Sequence, residues 1–420
     1  MSLHVDSDAG RLRQVLLHRP GAELSRLPPD TVRDLSLEST VWVEGARAEH
    51  DAFAQVLRDR GVTVHYVADL VTEVLEQPEA RDWVLDRVVT DDAVGPTLVP
   101  PLRKLTEQAD SERLTDYLIG GILKSELAHV TTNGLRWELM NRDGFLLAPL
   151  PASVFARTTS TWIFGGVSIN PPATPAQRRM SVHTHAVYAF HPMFTAEPFE
   201  VWYGADVPPQ TWAVLDGADI HVLGNGAVLV GLSAGTSAIG VEKLARSLFA
   251  TGGAGKVIAV ELPHGAPPMQ LDTMMTMISA DSFLMYPYLE DTPRSWTVLP
   301  GSTPDDLDGL EVTGNDDLFE SIGEALDLEK VGVLQVDPDI RAAEHEQWDD
   351  GNSFLAIEPG VVVSYERNVT TNAYLRRHGV EVVPIAGSEL ARRRGGPRSM
   401  ACPVERDPAE RATPSRREAV

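Results

Sequence analysis

The spacing of apolar and polar residues changes several times along this chain. Residues 11–18 (RLRQVLLH) form an apolar run closed by Pro20 and Gly21, which predicts a first strand. Residues 43–60 place Phe53, Val56 and Leu57 on one side of a helix and charges on the other, and Gly61 supplies the stop. Val62 to Val67 reads as a strand again, so the chain opens β-α-β, an α/β signal. Residues 70–147 are rich in Leu, Glu, Asp and Arg with few strand signals, and predict several amphipathic helices inserted into the α/β frame. Beyond them β-α punctuation resumes. Two short strands are expected between Val214 and Leu232 around the Gly224-Asn225-Gly226 turn, a helix over 240–250 and a buried strand over 256–261. Strands are expected over 353–364 and 380–385 around a helix at 368–378. The polar residues 408–420 predict a frayed tail. No close sequence repeat is visible, although β-α units recur.

Composition narrows the function. Hydrophobic residues make up 43% and charged residues 23% of the 420, an ordinary globular balance. Acidic residues number 60 against 36 basic, for a formal charge of −24. That charge argues against nucleic acid, whose phosphates need a positive surface, and favours small or cationic ligands. A single cysteine, Cys402, makes neither an internal disulfide nor a cysteine-rich zinc site. No apolar run is long enough to cross a bilayer, and Met1 to Ser7 lacks the basic start and apolar stretch of a secretion signal. A soluble cytoplasmic protein is expected.

Some motifs have plain readings. Gly224-Asn225-Gly226 and Gly395-Gly396 lack the spacing and lysine of a phosphate loop and read as turns. Arg392-Arg393-Arg394 reads as a solvated face or a loop bordering a site. His183 and His185 alternate on an expected strand, which would put both rings on one face, a spacing that suits a metal. The favoured reading is surface or hydrogen-bonded histidines, and no metal is expected. His264, in a glycine-proline loop, is a candidate acid/base.

Four stretches, in order over residues 10 to 407, carry a resemblance. They are Gly10-Arg11-Leu12 to Leu17-His18-Arg19-Pro20-Gly21; Val257 to Pro263 leading to Leu271-Asp272-Thr273; Glu346-Gln347-Trp348-Asp349-Asp350-Gly351-Asn352 with Glu358-Pro359-Gly360-Val361 and Tyr365-Glu366-Arg367-Asn368; and Gly395-Gly396-Pro397-Arg398-Ser399-Met400-Ala401-Cys402-Pro403. The chain resembles the arginine deiminase family. The resemblance implies a five-bladed α/β propeller (the pentein fold) over residues 1–71 and 148–407, with a helical bundle inserted at 72–147. It also implies the chemistry that turns arginine into citrulline and ammonia. A cysteine thiolate attacks the guanidinium carbon, and a histidine protonates the leaving ammonia and then activates water. Two carboxylates clamp the guanidinium nitrogens, an acidic residue orients the histidine, and arginines hold the substrate carboxylate.

This sequence departs from that pattern where the chemistry is done. Ser399 stands at the nucleophile position and Gln270 at that of the histidine. One guanidinium-binding aspartate survives as Asp272, but the other is Thr158, and the neighbouring asparagine is Ala152. The glutamate is Asp216, in Asp216-Gly217-Ala218-Asp219, and a carboxylate-binding arginine is Gly235. Arg178 and Arg179 persist, with Met180 in place of a glutamate. Ser399, Gln270 and Asp216 therefore occupy the catalytic positions, with Asp272, Asp219, Arg179, Thr158 and Gly396 expected at the substrate. Cys402 is expected to pack rather than react.

Losing nucleophile and acid/base together removes the covalent mechanism. The first reading is an enzyme with a rebuilt pocket, acting at a C–N bond of a small amino-acid-like or guanidino-like compound. The second is a non-catalytic ligand sensor or partner subunit, and the third is arginine deiminase after all. A small-molecule ligand and a homo-oligomer are expected, with no cofactor, nucleic acid or membrane.

Overall fold

The computed structural model describes residues 3–27, 40–127, 134–204, 211–263, 269–289, 292–301, 309–336 and 340–409. The expected strands and helices form near their predicted places. Leu12–Leu17 is a strand, Val43–Asp59 a helix that buries Phe53, Ala54 and Leu57, and Thr63–Tyr66 the next strand. Gly61 reverses the chain between helix and strand with φ +79°, a conformation that costs glycine little.

One pairing rule recurs in five sheets. In each, a middle strand is antiparallel to one neighbour and parallel to the other. Leu12–Leu17 runs antiparallel to Cys402–Arg406 and parallel to Thr63–Tyr66. Gly166–Ile169 lies between Ser160–Ile163 and Glu200–Tyr203. Ala227–Leu232 lies between Ile220–Gly224 and Lys256–Glu261. Ser282–Met285 lies between Met275–Ser279 and Gly332–Gln335. Val361–Tyr365 lies between Leu355–Glu358 and Glu381–Ile385. A parallel neighbour requires a crossover, and helices supply it: Val43–Asp59, Arg178–Phe190, Ala238–Ala250, Leu318–Leu326 and Val369–Arg377. An added hairpin, Ser295–Pro300 with Leu310–Asn315, widens the third sheet.

The rule also fixes where short helical turns fall. Ala156–Thr159, Gly217–Asp219, Leu271–Met274 and Pro397–Met400 each stand just ahead of the strand that pairs antiparallel with a middle strand. The fifth sheet has the turn 349–352 at the same place, with Asp350 at φ +56°.

Two expectations need correction. His183 and His185 lie on the helix Arg178–Phe190, not on a strand. Two residues apart on a helix they point in roughly opposite directions. His183 is buried, and burial, with Arg179 and His18 nearby, pushes its imidazole down to about 3. His185 meets the ring of Trp83 edge-on at 4.8 Å. No metal-binding group of His, Cys, Asp or Glu occurs among the described residues. Ahead of the segment expected as a helical insertion, the helix Val67–Leu75 follows Tyr66 without a turn, and the segment itself shows one departure. It is not wholly helical: Ile122–Leu123 pairs with Phe145–Leu147 in a two-stranded ribbon. No described helix is long and apolar enough to cross a membrane.

Candidate functional site

Beneath the turns lies a buried ionic cluster. Arg157 Nη2 donates to both carboxylate oxygens of Asp8, at 2.9 and 2.8 Å, and its Nε donates to the Gly217 carbonyl. Arg398 Nη2 donates to Asp8 Oδ2 and to the Ile220 carbonyl, each at 2.7 Å. Burial alone would raise the Asp8 carboxyl, but Arg157 and Arg398 outweigh it and hold the group well below the usual carboxylate range. One carboxylate therefore pins the turns bearing Thr158 and Ser399 against the turn bearing Asp216 and Asp219. No local pattern marks Asp8, because its partners lie 149 and 390 residues away.

Asp219 links further elements. Its Oδ1 accepts the backbone N–H of Leu271 at 2.9 Å, which anchors the Leu271–Met274 turn. Its Oδ2 accepts the hydroxyls of Ser233 at 2.6 Å and Thr236 at 2.7 Å. Asp216 Oδ1 accepts the N–H of Ala218 at 2.9 Å, and Oδ2 accepts the side-chain amide of Gln270 at 3.0 Å. Burial first, and then the neighbouring Asp219, push the Asp216 carboxyl upward. Burial raises Asp219 as well, partly offset by the Ser233 and Thr236 hydroxyls.

The turns surround an open cavity of about 680 Å³. Thr158, Asp216, Gly235 and Gln270 lie on its wall. So do Met180, Met269, Tyr286, Glu344, Trp348, Asp350 and Arg394. The guanidinium of Arg394 rests 4.3 Å from the centre of the Trp348 ring. Sequence reasoning missed Tyr286, Met269 and Glu344 as wall residues. None carries a chemical signature, and only the fold brings them here.

Other expected site residues lie behind the wall. Asp272 is fully buried, and its Oδ2 accepts the Ser399 hydroxyl at 2.8 Å and the Ser353 hydroxyl at 3.0 Å. Its Oδ1 accepts no hydrogen bond. Ser399 itself is only 3% exposed. Three residues expected at the substrate make other contacts. Arg179 donates to the carbonyls of Leu118 and Ala148, so it ties the inserted segment to the frame and does not line the cavity. Asp219 spends its oxygens on internal donors. Gly396 is needed for close approach, since a Cβ there would sit 2.0 Å from the Ser353 carbonyl oxygen. Cys402 is buried beside Ser160 and Tyr188, and burial raises its thiol, which suits packing. His264 lies outside the described residues.

Known structures share this architecture. An amidinotransferase of the saxitoxin pathway from Microseira wollei superposes with a TM-score of 0.55 at 12% identity, covering 97% of this chain and 98% of that one. The inosamine-phosphate amidinotransferase of Streptomyces griseus gives 0.54 at 12%, covering 96% and 97%. A dimethylarginine dimethylaminohydrolase in an adduct with S-methyl-L-thiocitrulline gives 0.52 at 13%, covering 93% and 99%. These likenesses show that the chain shares the mixed α/β fold of these enzymes. The family model for arginine deiminase matches residues 33–406, and the chain belongs to that family.

Proposed function

We propose that the protein holds a small, nitrogen-rich ligand in this cavity and does not deiminate arginine. The observation that carries the reading is the division between wall and interior. Gln270 sits on the wall with its amide committed to Asp216, while the Ser399 hydroxyl is turned onto Asp272 behind it. A serine hydroxyl needs a base to attack at neutral pH, and an amide neither takes nor gives the proton that an imidazole handles. The cavity has nevertheless stayed open rather than filling with side chains. Behind the wall residue Thr273, the buried Oδ1 of Asp272 accepts no hydrogen bond, at a cost on the order of 1–3 kcal/mol. Dimethylarginine, which gives its name to one of the similar enzymes, is a guanidino compound, which suits such a ligand. The pairing rule further supports closure of the five sheets as five blades, with their turns facing the cavity.

A rival reading is an enzyme that acts at a C–N bond through Ser399. It is favoured by the contact of that hydroxyl with a carboxylate. Citrulline formation from L-arginine, at high protein concentration over hours, separates these. No citrulline is expected from the natural sequence or from Ser399→Cys alone, because Gln270 still lacks a proton to transfer. Citrulline that disappears in Ser399→Ala would overturn the proposal. Slow turnover of another guanidino compound, also lost in Ser399→Ala, would establish the rival.

A further inference from the structure

The cavity wall is acidic on its inner side and at its rim. Asp216 lies inside, beside Gln270, and Asp350 is buried. Glu344 is exposed at the rim together with Trp348, which is 49% exposed. The stretch between is lined by Met180, Met269 and Tyr286, adaptable apolar surface suited to an alkyl chain. Among the described wall residues three are carboxylic acids, Asp216, Glu344 and Asp350, and one is a cation, Arg394, which is spread over the Trp348 ring. Gly235, beside Asp216, has no side-chain donor for an anion, and its backbone N–H donates to the Ser233 hydroxyl. A Cβ at that position would already stand 3.2 Å from the Asp216 Cβ.

Resting on the binding reading above, we propose that the ligand is an alkyl amine or alkyl guanidine with a positive charge at each end and no carboxylate. One cation meets Asp216 and the Gln270 side-chain carbonyl on the inner wall. The alkyl chain crosses the methionines, and the second cation reaches Glu344 at the rim. An α-amino acid would bring its carboxylate among Glu344 and Asp350, where Arg394 lies over the Trp348 ring and Arg341 is already paired with Glu344 at 3.2 Å. Like charges placed together at a site lower affinity and thereby select among ligands. The −24 charge of the whole chain steers in the same direction, concentrating cations and repelling anions.

The test is isothermal titration of the full-length protein with agmatine, 1,4-diaminobutane and L-arginine. Agmatine and L-arginine differ only in the carboxylate. Agmatine is expected to bind at least about tenfold more tightly than L-arginine. Glu344→Gln should weaken agmatine and 1,4-diaminobutane by roughly threefold to tenfold without weakening L-arginine. Glu344 is exposed, so this variant should keep its melting temperature, and that is measured alongside. L-arginine binding as tightly as agmatine, or a Glu344→Gln variant that treats the ligands alike, overturns the inference and leaves the binding reading intact. Failure of all three to bind overturns both.

Discussion

Arg398 and Ser399 are neighbours in sequence but belong to oppositely solved charge problems. Below, Asp8 faces two guanidiniums, Arg157 and Arg398, and backbone carbonyls take up further N–H groups of both. At the wall and just behind it, Asp216, Asp219 and Asp272 stand near one another, with only neutral donors on the first two. Asp272 has Arg398 at 3.6 Å on one oxygen and nothing on the other. The lower cluster, which His221 also joins at 3.3 Å from Asp8, balances its carboxylate and serves the fold. The upper one holds carboxylates at a cost to the fold, as expected where a ligand is to supply the missing charge.

Breaking the lower cluster should have the largest effect. Asp8→Asn strands two buried guanidiniums and should cost about 3–5 kcal/mol in urea unfolding. The sign with pH follows from the depressed carboxyl of Asp8. Its stabilisation is full above the ordinary value of 3.8 and is lost as pH falls toward the lower folded value. The natural protein should therefore lose stability on acidification more steeply than the variant in that range.

Relieving the upper cluster should do the reverse. The Asp216 carboxyl is raised, so the folded state binds more protons than the unfolded chain above 3.8, and stability falls as pH rises from there. Asp216→Asn should gain on the order of 1 kcal/mol at neutral pH, modest because the side chain reaches the cavity. The gain should vanish near pH 4 in thermal melts. A variant that is destabilised at neutral pH would show that the carboxylates are not in conflict. The same raised carboxyl predicts proton release when a cation binds, read from titrations in buffers of different ionisation enthalpy. Ser399→Ala removes one of two hydroxyls on Asp272 and should cost about 1–2 kcal/mol. Smallest of all, Cys402→Ala should leave ligand affinity unchanged, and the Cys402 thiol should react with alkylating reagents only on unfolding, given its burial.

Much of this fold is legible along the chain. Lys256–Glu261 is a strand because Val257, Ile258, Ala259 and Val260 form a run buried on both faces. The fivefold pairing rule is not legible, because the sheets share topology without sharing residues. The misplaced strand at His183 has a physical reason. Val182, Thr184 and Val187 favour strands, and the alternation hides a helical set, Met180, His183, Thr184 and Val187, that is buried at spacings of three and four. At the site, residue types announced what chemistry was missing from Ser399 and Gln270. They did not announce that one lies behind the wall and the other on it, since that depends on which way short turns face. Arg179 misled for the same reason: a cation in a familiar motif can serve a carbonyl as well as a substrate.

The first sheet is assembled from both ends of the chain. Cys402–Arg406 lies between His4–Val5 and Leu12–Leu17, and Gln14 donates to Glu405, 391 residues later. During synthesis Leu12–Leu17 must wait with an open edge until nearly all later units have emerged. Such late, non-local pairing slows folding and leaves an aggregation-prone strand in the nascent protein. The Pro397–Met400 turn, directly ahead of that strand, is set only when the strand has paired. The ligand cavity is thus among the last features to form, and a chain stalled short of residue 402 has neither a finished first sheet nor a floor for its pocket.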